Sequence, residues 1–263
     1  IHQLVRTAPL DEGPDEAAAV HAGEQSSKAK RTLNPRQLQK KAGLEGRWRK
    51  VPAPLTQQQT EEIQQLEALG YVSGSKPGSG FLGVTQNQTG KAAPGVNFYS
   101  SGHGPEAILV DMDGRVLHKW ALSFEQAFPG RKVPKRKGQG IHHWRRAILL
   151  GDGGVIAIFE GHGIIRVDKD SNLVWANPTR AHHDAHVLPD GRVYTLTRVA
   201  HMVPEVNPKH PVLEDFIIAL DGQTGEETLR VSVLTAFQTS EFREIWLSSP
   251  KRKGDLMHTN AIE

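Results

Sequence analysis

The chain has 263 residues, enough for one large domain or two modest ones. It contains no cysteine, which excludes disulfide bonds and thiolate chemistry, and its 32 basic and 29 acidic residues leave a formal net charge of +3, too balanced to indicate nucleic-acid binding. No stretch approaches eighteen consecutive apolar residues, so the sequence predicts no transmembrane segment.

The N-terminal segment, residues 1–57, has few large apolar residues and no sustained hydrophobic period. Its charge is mixed, acidic at first and basic towards the end. Such a segment cannot bury enough apolar surface to offset the entropy lost on ordering, so we predict an extended or disordered N-terminal extension. Its basic part could contact an acidic surface, but a solvated tail is the simpler interpretation.

A short helix is predicted over residues 58–69. Thr60 can cap it, glutamates occupy its first turn, a narrow stripe of one isoleucine and two leucines follows, and Gly70 ends it. The helix is too short to stand alone, so we expect it to dock on the following domain. Residues 71–95 are rich in Gly, Ser and Pro, so the region 58–95 is predicted to be a helix followed by a connector.

From about residue 96 the pattern changes to short β-type runs separated by turns. One repeat consists of an apolar run, an Asp, a turn and a second strand, and its Asp occurs at positions 111, 168 and 221. A second repeat is a hairpin with an Asp-Gly turn, at Asp152 and again at Asp190. Two interleaved repeats that recur about every 40–50 residues are typical of the blades of a β-propeller.

The repeats predict an all-β fold, with blades at 96–123, 141–177 and 181–234 and a fourth that begins at His258. The first blade is expected to lack a strand. Propellers usually close with four to eight blades, so we expect 96–263 to be the N-terminal part of a propeller and the chain to be a fragment. A β-sandwich built from hairpins is the alternative, but two repeats in fixed order favour the propeller.

Histidines recur where the inner strand of each blade begins, a position that faces the entrance of the central channel. The three segments are 141–146, 181–186 and 257–260. A propeller brings these equivalent positions together around one axis, so the sequence predicts a shared His-rich site. On a predicted strand His258 and Asn260 are two residues apart and therefore share a face.

Three interpretations fit this pattern. A metal site would use imidazoles together with Asp184, but strand alternation is expected to place His182, Asp184 and His186 on one face and His183 on the other. A transfer site for an anionic group would use imidazole as nucleophile or acid–base, with Asn and Arg donors for the oxyanion. In the third interpretation the histidines are ordinary core or rim residues.

The segments HHDAHVLPDGRVYTLTR and GDLMHTNAIE resemble the bacterial aryl-sulfotransferase family, and DMDGRVLHKW is similar to its blade-closing strands. The resemblance covers roughly residues 95–263. It implies a six-bladed propeller that moves a sulfuryl group from a phenolic sulfate ester to a phenol through a sulfated histidine, without a nucleotide donor or other cofactor. It also implies phenols and aryl sulfates as small-molecule partners, no nucleic acid, and a periplasmic or exported location.

Carried over residue by residue, the family's HxN pair matches His258 and Asn260, and a histidine of the HHD triplet matches His183, chosen over His182. These three matches are the catalytic candidates, and no residue is assigned to a metal. The candidates for substrate binding are His182, His143 and Arg145.

The order of parts along the chain implies that the nucleophilic histidine lies in a later blade, beyond Glu263, so this chain alone is expected to be inactive. The cysteine pair that occurs near the site in some members of the family has no counterpart here. The competing functional class is a non-catalytic propeller that binds a ligand or a protein partner, and metal-dependent hydrolysis at the HHDAH segment is a third possibility.

Other residues are weaker candidates. Arg145 and Arg146 alternate on a predicted strand, so one of them could reach the channel, although a surface role explains both. The basic run 131–137 could steer anionic substrates, but a solvated loop between blades is the simpler interpretation. Trp120 and Trp175 lie at equivalent ends of the outer strands and are predicted to pack between blades.

Overall fold

The computed structural model describes residues 3–4, 54–69, 84, 86–88, 90–132, 140–244 and 253–263. The chain divides into two compact units, one formed by Thr7–Leu55 and the other by Ile1–Arg6 together with Thr56–Glu263. Every helix and strand given below belongs to the second unit. The predicted N-terminal extension lies outside the described residues except at its two ends, and most of the predicted connector does so as well.

Three sheets follow one another along the second unit, each with four antiparallel strands, and a short fifth strand joins the third sheet in parallel. The first contains β1 (Gln3–Leu4), β2 (Asn97–Ser100), β3 (Glu106–Val110) and β4 (Val116–Ala121). The second contains β5 (Arg146–Leu149), β6 (Val155–Phe159), β7 (Gly163–Val167) and β8 (Leu173–Asn177). The third contains β9 (His182–Val187), β10 (Val193–His201), β11 (Val212–Leu220) and β12 (Glu227–Ser232). In each sheet the strands pair in chain order, which is the meander of a propeller blade, so the predicted all-β propeller is confirmed.

The innermost strand of the first blade comes from a distant part of the chain. β1 pairs with β2 and completes the sheet from which the sequence predicted a strand to be missing. The predicted blades otherwise coincide with the three sheets. The prediction that a fourth blade begins with a strand at His258 is wrong, because residues 256–263 form no strand.

The segment predicted to open the fourth blade lies against the third blade. A two-residue strand, β13 (Gly254–Asp255), pairs with β11 in parallel. Beyond it, the backbone N–H of Thr259 donates to the carboxylate of Asp215, and that of Ile262 donates to the carboxylate of Asp184. Carboxylates of the third blade thus accept two backbone N–H groups of this segment.

Indole rings join successive blades. Trp120 of β4 donates its Nε1–H to the carbonyl of Gly153 in the second blade, and Trp175 of β8 donates to the carbonyl of Gly222 in the third, both at 3.0 Å. Both side chains are buried in apolar clusters made of residues from two blades. The prediction that the two tryptophans pack between blades is confirmed.

The repeated Asp residues organise the turns between the third and fourth strands of each blade. Asp111, Asp168 and Asp221 each accept two backbone N–H groups of their own turn on one carboxylate oxygen, at 2.8–2.9 Å. The pKa of all three side chains is lowered, at Asp168 first by the side-chain amide of Asn172 and at Asp111 and Asp221 first by these backbone N–H groups, because such hydrogen bonds favour the ionised carboxylate. The first sequence repeat is therefore a repeat of turn chemistry.

The predicted helix is present as α1 (Gln57–Glu67), but its cap is Thr56 and not Thr60. The hydroxyl of Thr56 accepts the backbone N–H of Gln59, whose side chain accepts the backbone N–H of Thr56 in return. This reciprocal pair is a capping box, and it satisfies two backbone N–H donors at the start of the helix. The hydroxyl of Thr60 instead donates to the carbonyl of Thr56.

Helix α1 docks on the third blade, as its length led us to expect. Glu62 lies 2.9 Å from Nδ1 of His210, and Glu67 forms an ion pair with Arg180 at 3.0 Å. Two short helices that the sequence did not predict are α2 (Phe124–Ala127) and α3 (Val233–Thr239). The longest helix in the described part of the chain has 11 residues, well short of the roughly 20 that cross a bilayer, so none of these helices can span a membrane.

Candidate active site

The candidate site begins at an irregularity in β9. The pairing of β9 with β10 shifts between Thr195 and Leu196, which leaves His183 and Asp184 as extra residues on β9. His183 adopts a φ of 58°, in the left-handed region that non-glycine residues seldom occupy. The segment is therefore a β-bulge, a feature that redirects side chains and occurs near functional sites.

The bulge changes which side chains meet. The rings of His182 and His183 lie 5.0 Å apart, and both side chains are buried. Asp184 instead forms an ion pair with Arg146 at 3.0 Å, and His186 is exposed. The expected placement of His183 on the face opposite to His182 is therefore wrong, because two extra residues interrupt the alternation of the strand.

A buried carboxylate faces the two histidines. Glu160, in the turn after β6, accepts the backbone N–H of His183 at 2.9 Å through Oε2. Its other oxygen lies 3.7 Å from Nδ1 of His183, and Nε of Arg145 lies 3.9 Å from Oε2. A buried charge needs such partners. Sequence reasoning missed Glu160, and the only signal was a charged residue that directly follows the wholly apolar strand β6.

A second buried carboxylate joins the third blade to the HTN segment. Asp215 of β11 lies 3.6 Å from Nε2 of His182 through one oxygen and accepts the backbone N–H of Thr259 at 2.7 Å through the other. Burial acts to raise the pKa of Asp215, but hydrogen bonds from His182 and Thr259 outweigh it and leave the pKa lowered. Sequence reasoning missed this residue as well, since Glu214 and Asp215 together interrupt an otherwise apolar strand and form no recognisable motif.

His258 reaches the site, whereas Asn260 does not share a strand face with it. The ring of His258 lies 5.4 Å from that of His183, and its Nδ1 lies 2.6 Å from a carboxylate oxygen of Asp255. The backbone of His258 has a φ of 50°, so the expected extended conformation is absent. The side-chain amide of Asn260 donates to the carbonyl of His258 at 3.0 Å, which stabilises this local bend.

His183 is neutral at pH 7. Burial lowers the pKa of its imidazole to about 4, and the charges of His182, Arg145, His258 and Arg198 act in the same direction. A neutral imidazole offers one N–H donor and one lone pair.

The two remaining candidates lie at the start of the second blade. His143 and Arg145 stand on the irregular segment before β5. Burial lowers the pKa of His143, assisted by the charge of Arg145, which acts on His183 too. The structure therefore places Arg145 beside the cluster of His182, His183 and Glu160.

Arginines are concentrated at this end of the blades. Burial and the charges of Arg131, Arg180 and Arg198 lower the pKa of His162 to about 4. Arg198 is 2 % exposed and donates to the carbonyl of Leu69, just beyond α1. With Arg145 beside Glu160, this end of the blades is well suited to an anionic group.

A family model described as Arylsulfotransferase (ASST) matches residues 83–263, more than half of the chain. No curated protein matches the chain.

Similar solved structures include the quinohemoprotein alcohol dehydrogenase from Comamonas testosteroni, with 16% identity, a TM-score of 0.33, and coverage of 52% of this chain and 19% of that one. BamB from Moraxella catarrhalis has 18% identity, a TM-score of 0.29, and coverage of 51% and 33%. A streptogramin B lyase has 8% identity, a TM-score of 0.28, and coverage of 57% and 56%. The chain thus spans less than two thirds of the length of each of these structures.

Proposed function

Because the chain belongs to the arylsulfotransferase family, we propose that it serves in sulfuryl transfer from a phenolic sulfate ester to a phenol through a sulfated histidine. One observation carries the proposal. His183 and His258, 75 positions apart in number, present their rings to each other at 5.4 Å, at the end of the blades where arginines are concentrated. Small-molecule phenols and aryl sulfates are the proposed substrates.

The proposed reaction proceeds in two displacements. An imidazole nitrogen attacks sulfur, the bond from sulfur to the phenolic oxygen breaks, and the phenolate leaves. A second phenol then loses its proton, attacks the same sulfur and breaks the bond between sulfur and nitrogen. The order of motifs along the chain in this family supports a nucleophilic histidine from a further blade of the full-length protein. In this scheme the residues described here contact the sulfuryl oxygens and transfer protons.

His183 and His258 fit different roles. With a pKa of about 4, His183 is a weak base at pH 7, so we assign it to donate an N–H to a sulfuryl oxygen. Asp255 accepts from Nδ1 of His258, which leaves the lone pair on Nε2 and suits this histidine to proton transfer with the phenol. The guanidinium of Arg145, 41 % exposed beside Glu160, is positioned to contact the anionic substrate.

The test uses p-nitrophenyl sulfate and a phenol acceptor with the full-length protein. We expect release of p-nitrophenol, a fall in kcat of about 10²–10⁴-fold in His258→Ala, and a comparable loss in His183→Ala. The matched control is His142→Ala, which removes an exposed histidine from the start of the second blade and is expected to leave kcat unchanged.

Absence of p-nitrophenol release across several phenol acceptors would contradict the proposal. Binding of the aryl sulfate without turnover would favour a ligand-binding propeller instead. A periplasmic or exported location is part of the same proposal, and fractionation of cells that express the full-length protein tests it.

A further inference from the structure

We propose that Glu160, His182 and His183 form a binding site for a divalent transition-metal cation, with Zn²⁺ as the probe. This inference goes beyond the proposed transferase, which requires no metal. The HHDAH segment had suggested a metal site with Asp184 as the carboxylate ligand. In the structure the carboxylate beside the two histidines belongs to Glu160, in the turn after β6, and not to Asp184.

The donor atoms are already close together. One carboxylate oxygen and one nitrogen from each imidazole all lie within 4.8 Å of one another. Tetrahedral Zn²⁺, with bonds of about 2.0 Å, holds its ligand atoms roughly 3.3 Å apart. Side-chain rotations that move each donor atom by about 1 Å therefore bring the three atoms to the spacing that tetrahedral Zn²⁺ requires. Two imidazoles and one carboxylate are also a ligand set that Zn²⁺ uses in catalytic sites, where the fourth position stays open.

Burial and outer hydrogen bonds hold these groups in place. The side chains of Glu160, His182 and His183 are 0 %, 1 % and 6 % exposed. Asp215 lies 3.6 Å from Nε2 of His182, the position of a carboxylate that orients a ligating histidine and raises its basicity. The backbone N–H of His183 orients the carboxylate of Glu160 in the same way.

The backbone shows that this arrangement is imposed at a conformational cost. Only three non-glycine residues in the described part of the chain have positive φ, and His183 and His258 are two of them. Residues in such conformations cluster at functional sites, because the surrounding structure must hold them there. The bulge at His183 is what brings its imidazole to the side of His182 and Glu160.

The charged groups around the site determine whether an anion binds together with the cation. Arg145 and Arg198 oppose a cation, while Glu160 and Asp215 attract it. An anion bound between the metal and Arg145 would balance the excess positive charge. We therefore expect sulfate to increase the affinity for Zn²⁺, and not to compete with it.

The experiment is titration of metal-stripped, untagged full-length protein with Zn²⁺ by calorimetry, and with Co²⁺ by visible absorption. We expect one equivalent to bind, with the intense bands of tetrahedral Co²⁺. Glu160→Gln and His182→Ala should each weaken binding at least 10-fold, and Asp215→Asn about 10–100-fold. The matched control is His186→Ala, which removes an exposed histidine from the same strand and should bind like the wild type.

Absence of stoichiometric binding, or binding that survives both Glu160→Gln and His182→Ala, would overturn the proposal. Should a variant fail to fold, the melting temperature of the wild type decides, since Zn²⁺ must raise it and Mg²⁺ must not. Failure of the metal-site proposal can be distinguished from failure of the transferase proposal. Sulfuryl transfer by metal-stripped protein leaves the transferase proposal standing, whereas metal binding with no transfer contradicts the transferase alone.

Discussion

The two ends of the blades are built in different ways. At one end the turns that follow β3, β7 and β11 repeat one arrangement, in which an Asp carboxylate accepts two N–H groups of its own turn. At the other end, where β9 begins, the described residues show no such repeated turn. A bulge, two histidines with positive φ and two buried carboxylates meet there, and they come from segments far apart in the chain.

The two ends therefore have different roles. The turn end stabilises the propeller, and the site end holds the candidate functional residues. The turn end uses local hydrogen bonds between nearby residues and places Trp120 and Trp175 between blades. The site end places Glu160, Asp215 and His182 out of water, which costs free energy that local contacts cannot offset. Substitutions at the turn end should therefore reduce stability, whereas the site end should respond to pH and control activity.

The largest expected effect on stability is at the junction between the second and third blades. Trp175→Ala removes a buried indole and its hydrogen bond to the carbonyl of Gly222, so we expect a loss of about 3–5 kcal/mol in the free energy of unfolding. Urea denaturation measures it. Leu173→Ala, on the same strand but 39% exposed, is the control and should change stability by less than about 0.5 kcal/mol. Equal losses would show that the indole does not join the blades.

A smaller effect is expected at the site end when the pH falls. The pKa values of His162 and His183 are about 4 in the folded protein, against about 6.5 for an unperturbed histidine. The unfolded chain thus binds more protons, so stability that is present above pH 6.5 is lost as the pH falls from 6.5 towards 4. Between pH 7 and 5 the full shifts would cost about 1.8 kcal/mol for each histidine, and after a discount for solvent screening we expect a loss of about 2–3 kcal/mol for the two together.

Urea midpoints at pH 7, 6 and 5 test this dependence. His162→Gln and His183→Gln should each flatten it, because each removes a group that is protonated only on unfolding. His142→Gln, at an exposed position, should keep the wild-type slope. A slope that all three variants share would mean that other groups cause the loss.

The smallest effect is expected at one of the repeated turns. Asp168→Ala removes the acceptor for two backbone N–H groups, and we expect a fall in melting temperature of about 2–4 °C. Asp170→Ala, in the same turn, removes only an exposed pair with Lys169 and should change the melting temperature by less. If Asp170→Ala proved the more damaging, the repeated Asp would not organise the turn.

The features that the sequence predicted correctly share a local cause. Asp-Gly turns, alternating apolar runs and the turn around each repeated Asp depend on residues close in the chain, so the three blades could be located without a structure. The helix was found for the same reason, although its cap was placed four residues too late, at Thr60 instead of Thr56. The capping box decided that boundary, because Gln59 reciprocates the bond of Thr56.

The candidate site could be predicted only in part. His182, His183 and His258 were identified from their positions at predicted strand starts, and the structure brings their side chains together. Their partners Glu160 and Asp215 were missed, because charged residues that follow or interrupt an apolar run have no pattern of their own. Strand alternation also failed at His183, since a bulge is set by pairing with another strand.

By itself the sequence determined the positions of the three blades, the turns that join their strands, the interblade tryptophans and the family. Each follows from a residue type at a position set by local periodicity. Tertiary structure alone decided that β1 completes the first blade, that residues 256–263 lie against Asp184 and Asp215, and that Glu160 faces His182 and His183. These features depend on contacts between distant segments, and such contacts form only when the blades pack and exclude water.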